Sequence, residues 1–340
     1  MRCSFQNVSS LFVPELAVAF FLLSGSAPAQ EPSSQELWKL IAQSHVIIVG
    51  TPTVPVDQIE ESQRSGEHRY INIPVRVKDR LKGDSFPGTT MVRYFTRPAW
   101  YAPAPSTLVE SSGNQSVLFL TYVDTQTITH APEIYFAGYT PKAIQAHSKE
   151  LVDQVSAEVI AQKQIIDQFP RNFRPEAEPL YPKVKSLIEA MLHRRTEKRA
   201  FAELEALGEA AVPAMIILMD DRRELPVKEI SLRNAPGDFE GFRHYGPQVV
   251  ADAVDAILNQ ITQESFGTIH NGASERERKA AIDGWRVYLH RKRFGMQKPA
   301  RSRSLVRPPS RQLMITKIPM AAADCLRPTA SRVRSRLGRG

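Results

Sequence analysis

Cysteine is almost missing from this sequence, with two among 340 residues, Cys3 and Cys325. That scarcity excludes a disulfide-stapled scaffold and a Cys-based zinc site. The body must then be held together by ordinary core burial. Long apolar runs are missing too. Leu16–Leu23 falls far short of the ~20 residues that a spanning helix needs, and no later segment reaches that length. Catalytic signatures are also lacking: there is no Gly-x-Ser-x-Gly elbow, no His-Glu-x-x-His, no phosphate-binding Gly-rich loop and no Cys–His nucleophile pair. The eight histidines, at 45, 68, 130, 147, 193, 244, 270 and 290, never fall within four residues of one another. The sequence therefore gathers no metal ligands and calls for no cofactor.

What is present is a globular composition, 42% hydrophobic and 24% charged, with an uneven distribution of charge. The net +8 is misleading as a whole-chain figure. Residues 291–340 hold 14 of the 44 Lys and Arg but a single acid, Asp324, which leaves residues 1–290 at −5. A basic chain suggests a nucleic-acid partner, yet here the basic character belongs to a tail. That tail has no aromatic residue after Phe294, so it offers bases no stacking platform. It reads as a solvated disordered extension, with weak charge-driven contact to an anionic surface as its functional alternative.

The N-terminus reads as a secretory signal, with an uncleaved anchor as the competing reading. Arg2 supplies the positive end, Leu16–Leu23 the apolar stretch, and Ala27-x-Ala29 a small-residue cleavage site after Ala29. Export to the periplasm or the extracellular space follows, with no transmembrane segment in the mature chain and nucleic acid disfavoured as a partner. Cleavage removes Cys3 and leaves Cys325 unpaired.

Along the mature chain, Ser33 with Glu36 forms a capping box before a short helix through Leu37, Trp38, Leu40 and Ile41. His45–Gly50 turns to β-branched strand chemistry. Ile71, Ile73, Val75 and Val77 alternate with polar residues, the period of a strand with one buried face. Pro74 lacks a donor, which predicts an edge strand or a bulge there. Further strands are expected at Met91–Phe95, Val117–Tyr122 and Ile134–Tyr139, with Ala102–Ser116 as a loop and Glu60–Glu61 in another. Short strands at this spacing, without intervening helices, suggest a small barrel or sandwich. From Pro141 the period changes. Val152, Val155, Val159, Ile166 and Phe169 predict a bridging helix over 141–169, and four prolines between Pro170 and Pro182 predict a linker. Helical stripes follow at Val184–Leu192, at Phe201–Leu207 with Gly208 as the C-terminal cap, at Met215–Met219 after Pro213, and at Val250–Ile261. Ser274 with Glu277 opens a last helix through Ile282, Trp285 and Leu289.

The segment Ala202–Met215, with Ala206-Leu-Gly208 and Ala211-Val-Pro213 and the ending Met219-Asp-Asp221, resembles a HEAT-type helical repeat. Gly246–Leu258 looks like a divergent further helix of that kind, with residues 222–246 intruding between them. Asn271-Gly-Ala-Ser-Glu275 and Ala281-Ile-Asp-Gly-Trp-Arg286 are similar to exported bacterial proteins with HEAT-like domains. That resemblance implies scaffold and interaction roles and no chemistry. Val46–Thr51, Val75–Val77 and Leu81-Lys-Gly-Asp84 faintly resemble the barrel of netrin or tissue-inhibitor modules. The N-terminal Cys through which those inhibitors act has no counterpart at Gln30.

Two clusters merit weighing. Asp220–Asp221 reads as the solvated end of a buried helix, within reach of Arg222 and Arg223, in preference to an acid–base pair. The intrusion contains Phe239-Glu-Gly-Phe-Arg-His-Tyr-Gly-Pro247. Its Phe242, Arg243, His244 and Tyr245 make a candidate interaction loop, because aromatics and Arg dominate binding hot spots. The competing reading has Phe239, Phe242 and Tyr245 pinning the intrusion to the helices, with His244 satisfied locally.

The sequence thus predicts an α+β protein. A signal peptide (1–29) precedes a small, mostly antiparallel β-barrel or sandwich (30–140). A bridging helix and Pro-rich linker (141–182), an all-α HEAT-like domain (183–293) and a disordered basic tail (294–340) follow. The expected role is an exported, non-enzymatic binding or scaffold protein with a protein partner. Its rivals are an extracytoplasmic hydrolase whose site assembles only in the fold, and a protease inhibitor acting through the barrel.

Overall fold

The β-branched run after His45 folds as β1 (Val46–Pro52) and is apolar on both faces because both faces are covered. In the computed structural model, which describes residues 34–65, 70–83, 88–95, 105–122, 134–136, 140, 142–226, 228–233 and 242–295, β1 follows α1 (Ser34–Gln43). Next come α2 (Val56–Ser65), β2 (Tyr70–Lys82), β3 (Thr89–Phe95), α3 (Pro105–Ser111), β4 (Ser116–Tyr122), β5 (Ile134–Phe136) and β6 (Ile144–Ala146). The expected signal peptide with its cleavage after Ala29, Ser33 and the basic tail from 296 onward lie outside the described residues.

The strands form one six-stranded sheet in the order β1-β2-β3-β5-β4-β6, with an additional β1–β4 pairing. All pairs are antiparallel except β3–β5. This corrects the expected barrel or sandwich. The sheet curls, but β5 pairs with only three residues of β3 and two of β4, too little wall to close it into a barrel. Helices also intervene, contrary to expectation. Glu60 and Glu61 lie in α2, and the segment expected as a loop holds α3, whose Leu108 is fully buried.

Alternation sorts the strand side chains into two layers. Val46, Ile48, Ile73, Val75, Val92, Tyr94, Leu118 and Leu120 face the inner side of the curl, where Ile59 of α2 and Leu108 of α3 cover them. Ile47, Val49, Val117 and Phe119 face the other way, onto Leu37, Leu40 and Ile41 of α1. Pro74 sits on an inner strand, paired to both β1 and β3, and not at an edge or bulge. Its missing N–H is tolerated because β1 ends at Pro52, opposite Val75, and the Pro74 carbonyl accepts from Thr53 beyond that end (3.0 Å).

The long helix α4 (Lys149–Asn172) starts later than expected, because β6 occupies 144–146 and Ser148 caps its first turn by accepting from the Leu151 N–H (3.1 Å). Pro170 falls in its last turn, so the expected linker shrinks to a 3-10 turn at Pro175–Ala177. The remaining helices are α5 (Tyr181–Met191), α6 (Glu197–Ala206), α7 (Val212–Ile217), α8 (Val250–Thr262) and α9 (Glu275–Phe294). Gly208 adopts φ +60° just beyond α6, where a side chain would be strained. The Ser274–Glu277 capping box is formed, with the Ser274 N–H and hydroxyl both donating to Glu277 Oε2 (2.8 and 2.6 Å). The helical half is not all-α: residues 222–246 carry the hairpin β7 (Ile230–Arg233) and β8 (Phe242–Tyr245).

Every residue of α8 from Val250 to Leu258 is buried, so this helix is the axis of the helical core. Around it pack Val184, Ile188 and Met191 of α5, Phe201 and Leu204 of α6, Met215 and Ile216 of α7, and Ile282, Trp285 and Leu289 of α9. Residues 34–295 belong to one compact unit. Two helices serve both halves. α1 gives Leu40 and Ile41 to the sheet and Ala42 to the helical core, and α4 gives Leu151 and Val155 to the sheet and Phe169 to the helical core.

Candidate functional site

Strand chemistry inside a helical run needs a reason, and the β7–β8 hairpin supplies it through its two faces. Cross-strand pairing sets Ile230 opposite Tyr245, Ser231 opposite His244 and Leu232 opposite Arg243. Ile230, Leu232 and Tyr245 are buried against the helices, whereas Ser231, Arg243 and His244 are exposed. The outer pair is self-satisfied, with Ser231 Oγ 2.8 Å from His244 Nδ1.

Beneath the hairpin, Tyr245 meets His270 edge-on, with ring centroids 5.1 Å apart. His270 lies in a 3-10 turn (Ile269–Asn271) and brings Nδ1 to 3.4 Å from Asp255 Oδ2. Asp255 is wholly buried on α8. Its Oδ1 accepts from Trp285 Nε1 (2.7 Å) and its Oδ2 from Asn259 Nδ2 (3.1 Å). Asn271 Oδ1 accepts from the Gly246 N–H (2.8 Å) and ties the hairpin's exit to the same turn. Burial pushes the Tyr245 hydroxyl above its usual range, partly offset by its hydrogen bond with Arg243. A fully buried carboxylate thus orients a half-buried imidazole, which in turn supports the tyrosine that pins the hairpin.

One turn earlier on α8, Asp252 is equally buried. It accepts from the Gln248 and Val249 N–H groups (3.0 and 3.2 Å) and receives a two-pronged contact from Arg278 (2.8 and 3.0 Å). Arg278 also donates to Glu275, which Arg222 holds from the other side (2.8 and 2.7 Å). Asp220 pairs with Arg286, and Asp221 with Arg223, which also grips Glu189. Both acids of the doublet are thereby committed to ion pairs.

A strongly perturbed histidine lies elsewhere, at the seam between the sheet and α9. His45 is buried, and its Nδ1 accepts from the Tyr122 N–H (2.9 Å), so the neutral ring carries its proton on Nε2. Nε2 has no partner. The ring stacks on Tyr122 at 4.6 Å, and Arg276 of α9 lies 3.9 Å over the opposite partner's ring centre in that stack, Tyr122. Burial, with the charges of Lys82 and Arg276, brings His45 down to about 3. Burial likewise lowers Lys82 to about 8, while its ammonium donates to the Ile41 carbonyl (2.6 Å).

Of the loop residues predicted from sequence, the structure places Arg243 and His244 at the surface and Tyr245 inside; for Phe242 it describes the backbone alone, in β8, and Phe239 lies outside the described residues. Sequence reasoning missed Asp252, Asp255 and His270. The available signal was two acids spaced i, i+3 inside an otherwise apolar Ala/Val/Ile/Leu helix, a position that only a buried partner makes tolerable. Among the described residues no group of three His, Cys, Asp or Glu side chains is placed to hold a metal ion, and no helix is long and apolar enough to cross a membrane. Compared with known proteins, the chain matches no family profile and no curated sequence.

Proposed function

We propose that this chain is an exported, non-enzymatic binding protein that meets a protein partner through the outer face of the β7–β8 hairpin, carried on a HEAT-like stack of helices. The supporting observation is the two-faced hairpin: Ile230, Leu232 and Tyr245 fix it from below while Ser231, Arg243 and His244 stand exposed. A rigidly held backbone that presents Arg and His side chains loses little ordering entropy on contact. The HEAT-like reading is supported by the succession of short helices α5, α6 and α7, joined by tight turns and packed around the buried α8.

A photo-crosslinker placed at His244, and separately at exposed Lys163 on α4, tests the reading in the native envelope. A discrete adduct from position 244 and none from 163 is expected. Arg243→Ala with His244→Ala should lower capture of that adduct's partner at least about tenfold, as truncated hot-spot residues do, with the melting temperature unchanged. Lost stability with unchanged capture would sink the proposal.

The hydrolase reading retains one observation in its favour, the 2.8 Å contact between Ser231 and His244. An activated nucleophile needs a base that is itself oriented by a third group, and the carboxylate-oriented histidine here is His270. Covalent labelling of Ser231 by a fluorophosphonate, abolished in Ser231→Ala, would bring the hydrolase back; no labelling would remove it.

A further inference from the structure

The turn from α5 into α6 reads His193-Arg-Arg-Thr-Glu-Lys-Arg199, with four Lys and Arg in seven residues. Six of the seven are exposed, and the one acid, Glu197, is turned inward and buried. The turn is well fixed: Thr196 Oγ1 donates to the Ala190 carbonyl (2.7 Å), and the Glu197 N–H donates to the His193 carbonyl (3.0 Å). Arg199 is committed to Glu203 (2.6 Å), which Lys183 also holds (3.0 Å). Among the described residues, the side chains of Arg194, Arg195 and Lys198 enter no ion pair or hydrogen bond. Several cations elsewhere on the helical half are matched, Arg222 with Glu275, Arg223 with Glu189, Arg286 with Asp220, Arg291 with Glu158, and Arg293 with Glu178. Three adjacent unmatched cations therefore stand on a body whose first 290 residues carry a net −5.

We propose that this turn docks the protein against an anionic bilayer face, with Arg194, Arg195 and Lys198 meeting phosphate-bearing lipid headgroups. Residues 182–200 contain no aromatic side chain, so single-stranded nucleic acid finds no stacking platform there. A protein partner would be anchored by an aromatic or a pocketed apolar group, and the exposed side chains of 193–199 include none. A charged lipid surface asks only for accessible cations, and each one held there strengthens attachment about fivefold.

The full chain is sedimented at low salt with phosphatidylcholine vesicles, with and without phosphatidylglycerol. The triple variant Arg194→Ala/Arg195→Ala/Lys198→Ala should lose about a hundredfold in attachment to the anionic vesicles and keep its melting temperature. A control of equal charge change in the tail, Arg332→Ala/Arg334→Ala/Arg336→Ala, should lose clearly less. Equal losses in the two variants would reduce the effect to net charge and overturn the proposal. So would undiminished attachment of the first variant, or a loss confined to a single-stranded oligonucleotide offered in place of vesicles.

Discussion

His45 cannot take up a proton where it sits without giving up the hydrogen bond from the Tyr122 N–H, and it would then share its surroundings with Lys82 and Arg276. An unfolded histidine titrates near 6.5, whereas this one is held at about 3. The unfolded chain therefore binds a proton that the native chain refuses. Stability is complete above pH 6.5 and is lost progressively as pH falls toward 3. Between pH 7 and pH 5 the loss is about 2 kcal/mol. Urea unfolding at the two pH values should show that drop in the native chain and a much smaller one in His45→Gln; an equal drop in the variant would assign the effect elsewhere. Asp252 poses the opposite problem, since it is charged and buried but fully answered. Asp252→Ala would leave buried Arg278 with only the exposed Glu275 to answer it, at a cost of about 3–5 kcal/mol. The double variant Asp252→Ala/Arg278→Met should recover part of that loss in the same unfolding assay. A double variant as unstable as the single one would contradict the pairing.

At the scale of elements, α9 sets two rules of thumb against each other. Gly to Ala inside a helix ordinarily adds about 1 kcal/mol of stability, yet a Cβ at Gly284 would lie 2.5 Å from the Phe266 Cβ. Overpacking of that kind costs about 1–3 kcal/mol, so Gly284→Ala should lower the melting temperature; a rise would show that the Phe266 loop yields. Ser274→Ala removes the cap of the same helix and should cost about 1 kcal/mol, read by urea unfolding. This cap was visible in the sequence because it is a local motif in which four residues contain the whole interaction. The alternation in β2 was visible for the same reason. The short helices α2 and α3 were not, because a helix of ten or seven residues with few inward side chains leaves too little period to detect. The hairpin was hidden more deeply. Its strands are four residues long, and what holds them is Asp255, His270 and Trp285, which approach from other elements. Buried acids defeat a reading that counts apolar residues, since Asp252 and Asp255 look like interruptions of a stripe and are in fact its anchors.

For the whole molecule, α1 and α4 bind the sheet and the helical core together. Gln162 Nε2 reaches the Trp38 carbonyl (2.8 Å), Gln43 Nε2 the Ser265 carbonyl (2.9 Å), and Arg291 holds both oxygens of Glu158 (2.6 and 2.7 Å). Neither half can lose these helices and keep its own apolar face covered. The described body should therefore melt in one step, with near-ultraviolet and far-ultraviolet dichroism giving the same midpoint. Two separated midpoints would mean that the halves are stable independently.

The seam carries its own reporter. The Nε2 proton of His45 lies buried beside Gly267, with no protein acceptor among the described residues. It can trade with solvent only when the sheet and α9 part, so its exchange lifetime is a clock for how often the two halves of the molecule breathe apart.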